Sequence, residues 1–207
     1  MIRYILLLFF ALSYVDTYAQ LKLGVQVSPT LSFNRIDDDD ASMGFNSNGI
    51  GGRLVAGVIA DYMFQENYYF STGIFFTPKR VGLETSTNPV EEAYRLHYLQ
   101  VPASIKLFTN EVALDTRVYF QAGFTLDLKI LEDNLSETTQ YVDSFRPVDT
   151  SLLLGTGVEY QYGYSTTLYG GFSYRRGLVN AVRQTDNGAG DLVIKNDLFS
   201  LDIGVKF

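Results

Sequence analysis

The most constraining feature of this sequence is an alternation of apolar and polar residues that recurs along most of the chain. In the final stretch, LFSLDIGVKF, every second residue from Phe199 to Phe207 is apolar. The stretch LKLGVQVSPTLSFN repeats the pattern, with apolar residues at most of the odd positions from Leu23 to Phe33. Successive side chains of a β-strand point to opposite faces, so this period of two predicts strands with one apolar and one polar face.

Eight segments of this kind follow one another along the chain, and each is close in length to the ~9–11 residues that a tilted membrane-spanning strand needs. The predicted strands are Leu21–Asn34, Arg53–Phe64, Tyr69–Thr77, Tyr98–Phe108, Arg117–Ile130, Leu152–Gln161, Thr167–Arg175 and Asn196–Phe207. Long and short connections alternate between them. The long ones are Asn34–Gly52, Pro78–His97, Leu131–Ser151 and Arg176–Lys195, and the short ones are Gln65–Tyr68, Thr109–Thr116 and Tyr162–Thr166. This rhythm is typical of an up-and-down barrel.

The composition of the polar face indicates that it lines the interior of the barrel. It is rich in small residues such as Gly57, Gly123 and Ser104, which suit a crowded lumen and are unusual on a solvent-facing strand. The opposite face carries no charges, as expected where a charge would cost about 2–4 kcal/mol near the bilayer midplane. The sequence therefore predicts an all-β fold: an eight-stranded antiparallel up-and-down transmembrane β-barrel with long extracellular loops and short periplasmic turns.

The N-terminal residues 1–19 have the features of a cleaved signal peptide. Arg3 is followed by an apolar run from Ile5 to Leu12 and by the small-residue cleavage pattern Thr17–Ala19. A membrane anchor is the alternative, but the run is shorter than the ~20 residues of a spanning helix. The absence of cysteine excludes both a lipoprotein anchor and disulfides. We expect residues 20–207 to form the barrel domain in the outer membrane.

Charged residues also occur on the face predicted to line the lumen. They are Lys22, Arg53, Asp61, Lys106, Asp127, Lys129, Glu159, Arg175, Asp202 and Lys206. Buried charges need partners, and eight strands leave no open channel, so we expect a structural ion-pair network, with a proton or ion path as the alternative. Strand direction predicts Arg53, Asp127, Lys129 and Arg175 toward the loop rim. The others are predicted toward the turn rim, with Glu159 nearby.

The long connections hold most of the acidic residues. The first contains Asp37, Asp38, Asp39 and Asp40, and the third contains Glu132, Asp133, Glu137, Asp143 and Asp149. Consecutive aspartates lack the alternating spacing of a calcium loop, so we expect a solvated acidic surface loop. With one histidine in the chain, a multi-histidine metal site is excluded. No metal or cofactor is predicted, and the net charge of −7 argues against nucleic acid as a partner.

Three functional hypotheses are compatible with such a barrel: a non-enzymatic scaffold or accessory component, a lipid-modifying enzyme, and a ligand-binding barrel. Some small membrane barrels are lipid-modifying enzymes that use a histidine beside a serine. Here His97 lies at the loop end of a strand within YRLHYLQ, which contains no serine. We therefore assign no catalytic residue and favour the non-enzymatic hypothesis.

The stretches YLQVPASIKLF, VYFQAGFTLDLKI and LLLGTGVEYQYG resemble the PorT-like outer-membrane β-barrel family. The resemblance implies an eight-stranded outer-membrane barrel, no catalytic residues, and a link to the type IX protein secretion system. The partners it implies are outer-membrane lipid, the outer-membrane assembly machinery, and other envelope or secretion proteins. Phe207 resembles the terminal aromatic of the assembly signal. The usual signal has glycine five residues before the end, where this chain has Asp202.

The signal peptide gives a direct prediction. Because cleavage is expected after Ala19, the intact mass of protein isolated from outer membranes should equal that of a chain that begins at Gln20. The variant Ala19→Lys removes the small residue at the cleavage site and should accumulate as the uncut precursor. A wild-type product that retains residues 1–19 would contradict the assignment.

Overall fold

The computed structural model of the chain describes residues 21–38, 45–47, 49–85, 91–134, 142–185 and 192–207. These ranges form strands β1 (Leu21–Asp38), β2 (Phe45–Ser47), β3 (Gly51–Gln65), β4 (Tyr68–Thr85), β5 (Glu91–Phe108), β6 (Thr116–Asn134), β7 (Val142–Phe145), β8 (Val148–Tyr162), β9 (Thr166–Gly177), β10 (Val182–Thr185) and β11 (Leu192–Lys206). None of these ranges contains a helix long and apolar enough to cross a membrane. The predicted signal peptide lies outside the described residues.

Eight of the strands form a closed antiparallel barrel. Its order is β1-β3-β4-β5-β6-β8-β9-β11, and β11 pairs back onto β1. The closing seam extends to the last residue, where the Phe207 backbone N–H donates to the Leu23 carbonyl at 2.7 Å. The predicted eight-stranded up-and-down barrel is therefore confirmed.

The strands are longer at the loop end than the sequence analysis predicted. β4 continues to Thr85 and β5 begins at Glu91, although the whole stretch Pro78–His97 was predicted to be a loop. Apolar and polar residues still alternate there, but the apolar residues now point inward and the polar ones outward. On β5, Leu96 and Tyr94 point inward and are buried, whereas Arg95 is exposed. The prediction ended each strand where the lipid-facing apolar residues ended, so it missed the part that projects beyond the membrane.

An apolar cap fills this projecting part of the barrel. The cap consists of Val81, Leu83, Tyr94, Leu96, Tyr98, Val142, Phe145, Ala181, Val182, Leu192 and Ile194. Strands β7 and β10 pair with each other in a separate two-stranded sheet and contribute to it. Strands β5 and β11, four positions apart in the ring of eight, also contribute, so the cap spans the bore.

Within the membrane the outside is apolar, whereas the inside combines small and polar residues with two smaller apolar clusters. The first cluster is Val55, Ile59, Phe75 and Tyr169, and the second is Tyr69, Phe108 and Tyr119. Leu54, Phe124 and Phe172 are 57%, 58% and 53% exposed and face lipid. Inside, glycine provides space for aromatic rings. A Cβ on Gly204 would lie 2.5 Å from Tyr169 Cε1, and one on Gly157 would lie 2.6 Å from the Tyr119 hydroxyl. The lumen glycines are therefore a packing requirement.

The lipid face can be tested by placing a charge on it. Phe172→Arg should lower the free energy of unfolding by about 2–4 kcal/mol, because the charge replaces an apolar group in contact with lipid. Val112 is similarly exposed, at 60%, but lies in a turn outside the barrel wall, so Val112→Arg is the matched control. Urea titration in lipid vesicles measures both variants, and equal costs would contradict the assigned lipid face.

Candidate functional site

The lumen near the turn rim contains a buried cluster of two lysines and two carboxylates, here called the turn-end cluster. Lys206 Nζ lies 2.5 Å from Asp61 Oδ2 and also contacts Glu159, and Lys106 Nζ lies 3.0 Å from Asp61 Oδ2. All four side chains are at most 3% exposed. They lie near the turn ends of β3, β5, β8 and β11, so the cluster links four strands of the barrel from the inside. Its charges balance, which makes it a polar plug.

Lys22 lies beside this cluster and is held by hydrogen bonds. Its Nζ donates to Thr167 Oγ1 at 3.3 Å and to Gln161 Oε1 at 3.5 Å. The turn rim of the lumen is thus filled by side chains from both ends of the barrel sequence.

Arg175 and Asp202 approach each other farther up the lumen, with 4.0 Å between Nη2 and Oδ1. They were predicted toward opposite rims. The difference arises because the prediction followed backbone positions, whereas the long arginine side chain reaches along the lumen. Ser28 donates to Asp202 at 2.7 Å. Both ionic side chains border a cavity of about 30 Å³, which has room for one or two water molecules.

A second buried cluster, here called the loop-end cluster, lies beneath the apolar cap. Lys79 Nζ contacts Asp127 Oδ2 at 2.6 Å and Asp149 Oδ2 at 2.9 Å, and Gln100 Nε2 donates to Asp127 Oδ1 at 2.8 Å. The lysine also lies over the Tyr98 ring, 4.6 Å from its centroid. All of these side chains are at most 1% exposed.

The sequence analysis assigned two members of the loop-end cluster to loops. Lys79 was predicted to be in a loop, and Asp149 was counted among the acidic residues of the third loop, which is wrong. Extending the inward parity of Phe75 and Thr77 by two residues would have placed Lys79 inside. Asp149 lies opposite Asp127 in the β6–β8 register, so the same rule applies to it.

The remaining predicted charges lie at the loop rim. Lys129 pairs with Glu132 and donates to the Phe145 carbonyl at 2.5 Å. Arg53 donates to the Gly52 carbonyl at 2.9 Å and forms no ion pair within the described residues.

The acidic surface loop and the terminal Phe207 were the other predicted features. Asp37 and Asp38 are the last residues of β1 and so are not in a loop, which corrects the prediction; Asp39 and Asp40 lie outside the described residues. Phe207 is 65% exposed at the closing seam, and its role as an assembly signal stays a prediction.

An ion pair on the outside of the barrel was missed. Asp197 has outward parity on β11 but is only 1% exposed. It accepts hydrogen bonds from Arg35 Nε and the Tyr174 hydroxyl, both at 2.9 Å, and from the Gly177 backbone at 3.0 Å. These contacts join β1, β9 and β11 just beyond the lipid face, where a carboxylate needs such neutralisation.

His97 does not belong to a catalytic arrangement in the described part of the chain. Its ring packs against Phe76 with 5.3 Å between centroids, and its cross-strand neighbours are Pro78 and Leu131. Its Nδ1 atom is buried without a hydrogen-bond partner. Among the described residues, no serine or carboxylate contacts this histidine, so a general-base role has no support there.

Comparison with known proteins gave one family and several similar structures. The model of the family described as outer membrane protein beta-barrel domain matches residues 18–183. Outer membrane protein OprG from Pseudomonas aeruginosa has a TM-score of 0.60 at 13% identity, with 91% of this chain and 97% of that chain covered. Neisserial surface protein A has a TM-score of 0.55 at 14% identity, with 90% and 95% covered. A search of curated proteins gave no match. At these identities the structures support the fold alone.

The loop-end cluster predicts a large difference between two lysines. Lys79→Met leaves two buried carboxylates without a cation and should destabilise the barrel by about 3–5 kcal/mol. Lys129→Met removes a partly exposed pair and should cost at most about 1 kcal/mol. Adding Asp149→Asn to Lys79→Met should recover part of the loss. Urea unfolding in vesicles measures each variant, and equal effects for the two lysines would argue against the cluster.

Proposed function

Because this chain belongs to the outer membrane protein beta-barrel domain family, we propose that it is a non-enzymatic barrel that serves as a scaffold or accessory component of an envelope complex. The observation that carries this proposal is the filled lumen. The turn-end cluster, the loop-end cluster and the apolar cap occupy successive levels of the bore. A barrel filled in this way acts through its surfaces.

The dimensions of the lumen argue against a pore and against a ligand-binding barrel. The cavity beside Arg175 and Asp202 has a volume of about 30 Å³, whereas pockets for small molecules are typically about 300–1,000 Å³. Open aqueous channels belong to barrels of about 16–18 strands. The surroundings of His97 likewise give no support to a lipid-modifying enzyme.

The part of the barrel that projects beyond the lipid face offers a rigid surface for a partner. β4 and β5 are each 18 residues long, well above the ~9–11 residues needed to cross the membrane. Their projecting ends are held together by the apolar cap, so this surface is ordered without a ligand. The PorT-like resemblance suggests a protein-secretion complex as the partner, and a protein contact on this projecting surface would be consistent with it.

Purification tests the proposal. The full chain extracted from its native membrane in mild detergent should carry specific proteins with it, and in planar bilayers it should give no steady conductance. Recovery as a lone monomer, or a stable open channel, would count against the accessory role.

Charge reversals locate the contact. Glu84→Lys combined with Arg183→Glu alters exposed positions on the projecting part and should release the co-purifying proteins. Glu111→Lys alters an exposed position in a turn at the other rim and should retain them. Release by Glu111→Lys alone would place the contact at the turn rim and contradict this part of the proposal.

A further inference from the structure

A cleft on the outer surface of the barrel lies between the start of β8 and the segment that joins β9 to β10. Its volume is about 650 Å³, and it is lined by Arg146, Pro147, Val148, Thr150, Val179 and Arg183. Pockets for small molecules are typically about 300–1,000 Å³. Unlike the cavity in the lumen, this cleft is therefore large enough to hold a ligand.

The guanidinium of Arg146 is held at the cleft by contacts with β10 and the residue before it. The Arg146 backbone N–H donates to the Ala181 carbonyl at 2.7 Å, and its Nε donates to the Val182 carbonyl at 3.1 Å. Its two terminal Nη groups donate to no other group among the described residues. They are available to a ligand on a side chain that is already oriented, which reduces the ordering cost of binding.

Arg183 reaches the same cleft from a β-bulge in β10. Val182 lies opposite Phe145 on β7, whereas Gln184 lies opposite the adjacent residue, Ser144, so Arg183 is an extra residue on β10. A bulge of this kind redirects a side chain relative to the regular strand. Within the described ranges, Arg183 forms neither a hydrogen bond nor an ion pair. The cleft is thus bordered by two guanidinium groups with unused donors.

No carboxylate neutralises these two arginines in the part of the chain that the structure describes. Asp143 is exposed on β7 and forms no ion pair there, and Asp149 points into the lumen, where it is paired with Lys79. Two guanidinium groups at one cleft match a doubly charged anion better than a single carboxylate. A phosphate monoester carries roughly −1.5 to −2 charges at pH 7 and has three acceptor oxygens. Guanidinium groups donate paired hydrogen bonds to such oxygens.

The membrane side of the cleft is continuous with the lipid face. Val148, which is exposed, pairs with Leu128 on β6. The next outward residue of β8, Thr150, pairs with Leu126, and both leucines are exposed to lipid. Arg146 comes before Val148 in the chain, on the side of the long loops. The cleft therefore combines an apolar wall at the level of the acyl chains with cations at the level of the outer-leaflet headgroups.

We propose that this cleft binds a lipid phosphate monoester in the outer leaflet. Arg146 and Arg183 donate to the phosphate oxygens, and the first part of an acyl chain packs against Val148 and Leu128. This lipid site goes beyond the accessory role, since it requires no protein partner.

Lipid titration tests the site on the full-length folded protein, purified alone in detergent micelles. The probes are dioleoyl phosphatidic acid, dioleoyl phosphatidylcholine and glycerol 3-phosphate. Phosphatidic acid should form a one-to-one complex in native mass spectrometry and raise the temperature at which the folded gel band is lost, and the other two should do neither. Equal binding of glycerol 3-phosphate would show a site for free phosphate esters, and equal binding of phosphatidylcholine would show that only the acyl chains bind. Either result overturns the proposal.

Matched variants assign the binding to the cleft. Arg146→Gln with Arg183→Gln should weaken phosphatidic acid binding by roughly tenfold or more, as expected for lost charge-assisted hydrogen bonds. Arg95 is an exposed arginine at the loop end of β5, two strands away from β8 in the ring, so Arg95→Gln should bind as wild type does. If the double variant fails to fold, Arg183→Lys keeps the charge, loses the fork and should bind with intermediate affinity.

Unchanged binding in the folded double variant, or in Arg183→Lys, overturns the proposal. A loss in Arg95→Gln equal to that in the double variant also overturns it, because it would show a general attraction of the anionic lipid to exposed arginines.

Discussion

The requirement that every backbone polar group in the membrane be hydrogen-bonded within the protein determines the rest of this structure. Hydrocarbon offers no water to an unpaired strand edge, so a membrane sheet must close. Here closure is made by β1 and β11, and it extends to the mutual hydrogen bonds of Leu23 and Phe207. Closing the sheet with only eight strands makes the bore narrow. The interior must then be filled by side chains, and its glycines and tyrosines follow from that geometry.

Filling a narrow polar lumen places charges where water cannot solvate them, so their arrangement is as constrained as the backbone. In the turn-end cluster Lys106 and Lys206 share Asp61, and Glu159 completes the charge balance. In the loop-end cluster one lysine lies between two aspartates, and Gln100 donates to one of them. Removing one member leaves a partner uncompensated, which costs more than the pair contributes. Each cluster therefore links strands that are not neighbours in the barrel wall.

Most of the membrane-embedded part could be predicted from the sequence, because lipid and lumen impose opposite demands on alternate residues. Leu99, Val101 and Ile105 alternate with Gln100 and Ser104, and that contrast reveals both the strand and its orientation. The projecting part could not be predicted in the same way. There Leu96 and Tyr94 are apolar and point inward, so the contrast reverses and resembles the end of a strand. The approach of Arg175 to Asp202 was missed because side-chain reach is not encoded in strand parity.

The point on β5 where the apolar residues change from outward-facing to inward-facing also divides the barrel into two regions that are stabilised differently. On the turn side of Tyr98 the outward apolar residues are stabilised by lipid, and the interior combines ion pairs and hydrogen bonds with two small apolar clusters. Above it the interior is an apolar core like that of a water-soluble protein, stabilised by burial away from water. The boundary between the two regions coincides with the loop-end cluster on the inside and with His97 and the Arg35–Asp197 ion pair on the outside. Charged groups thus concentrate at the level where the surrounding solvent changes from hydrocarbon to water.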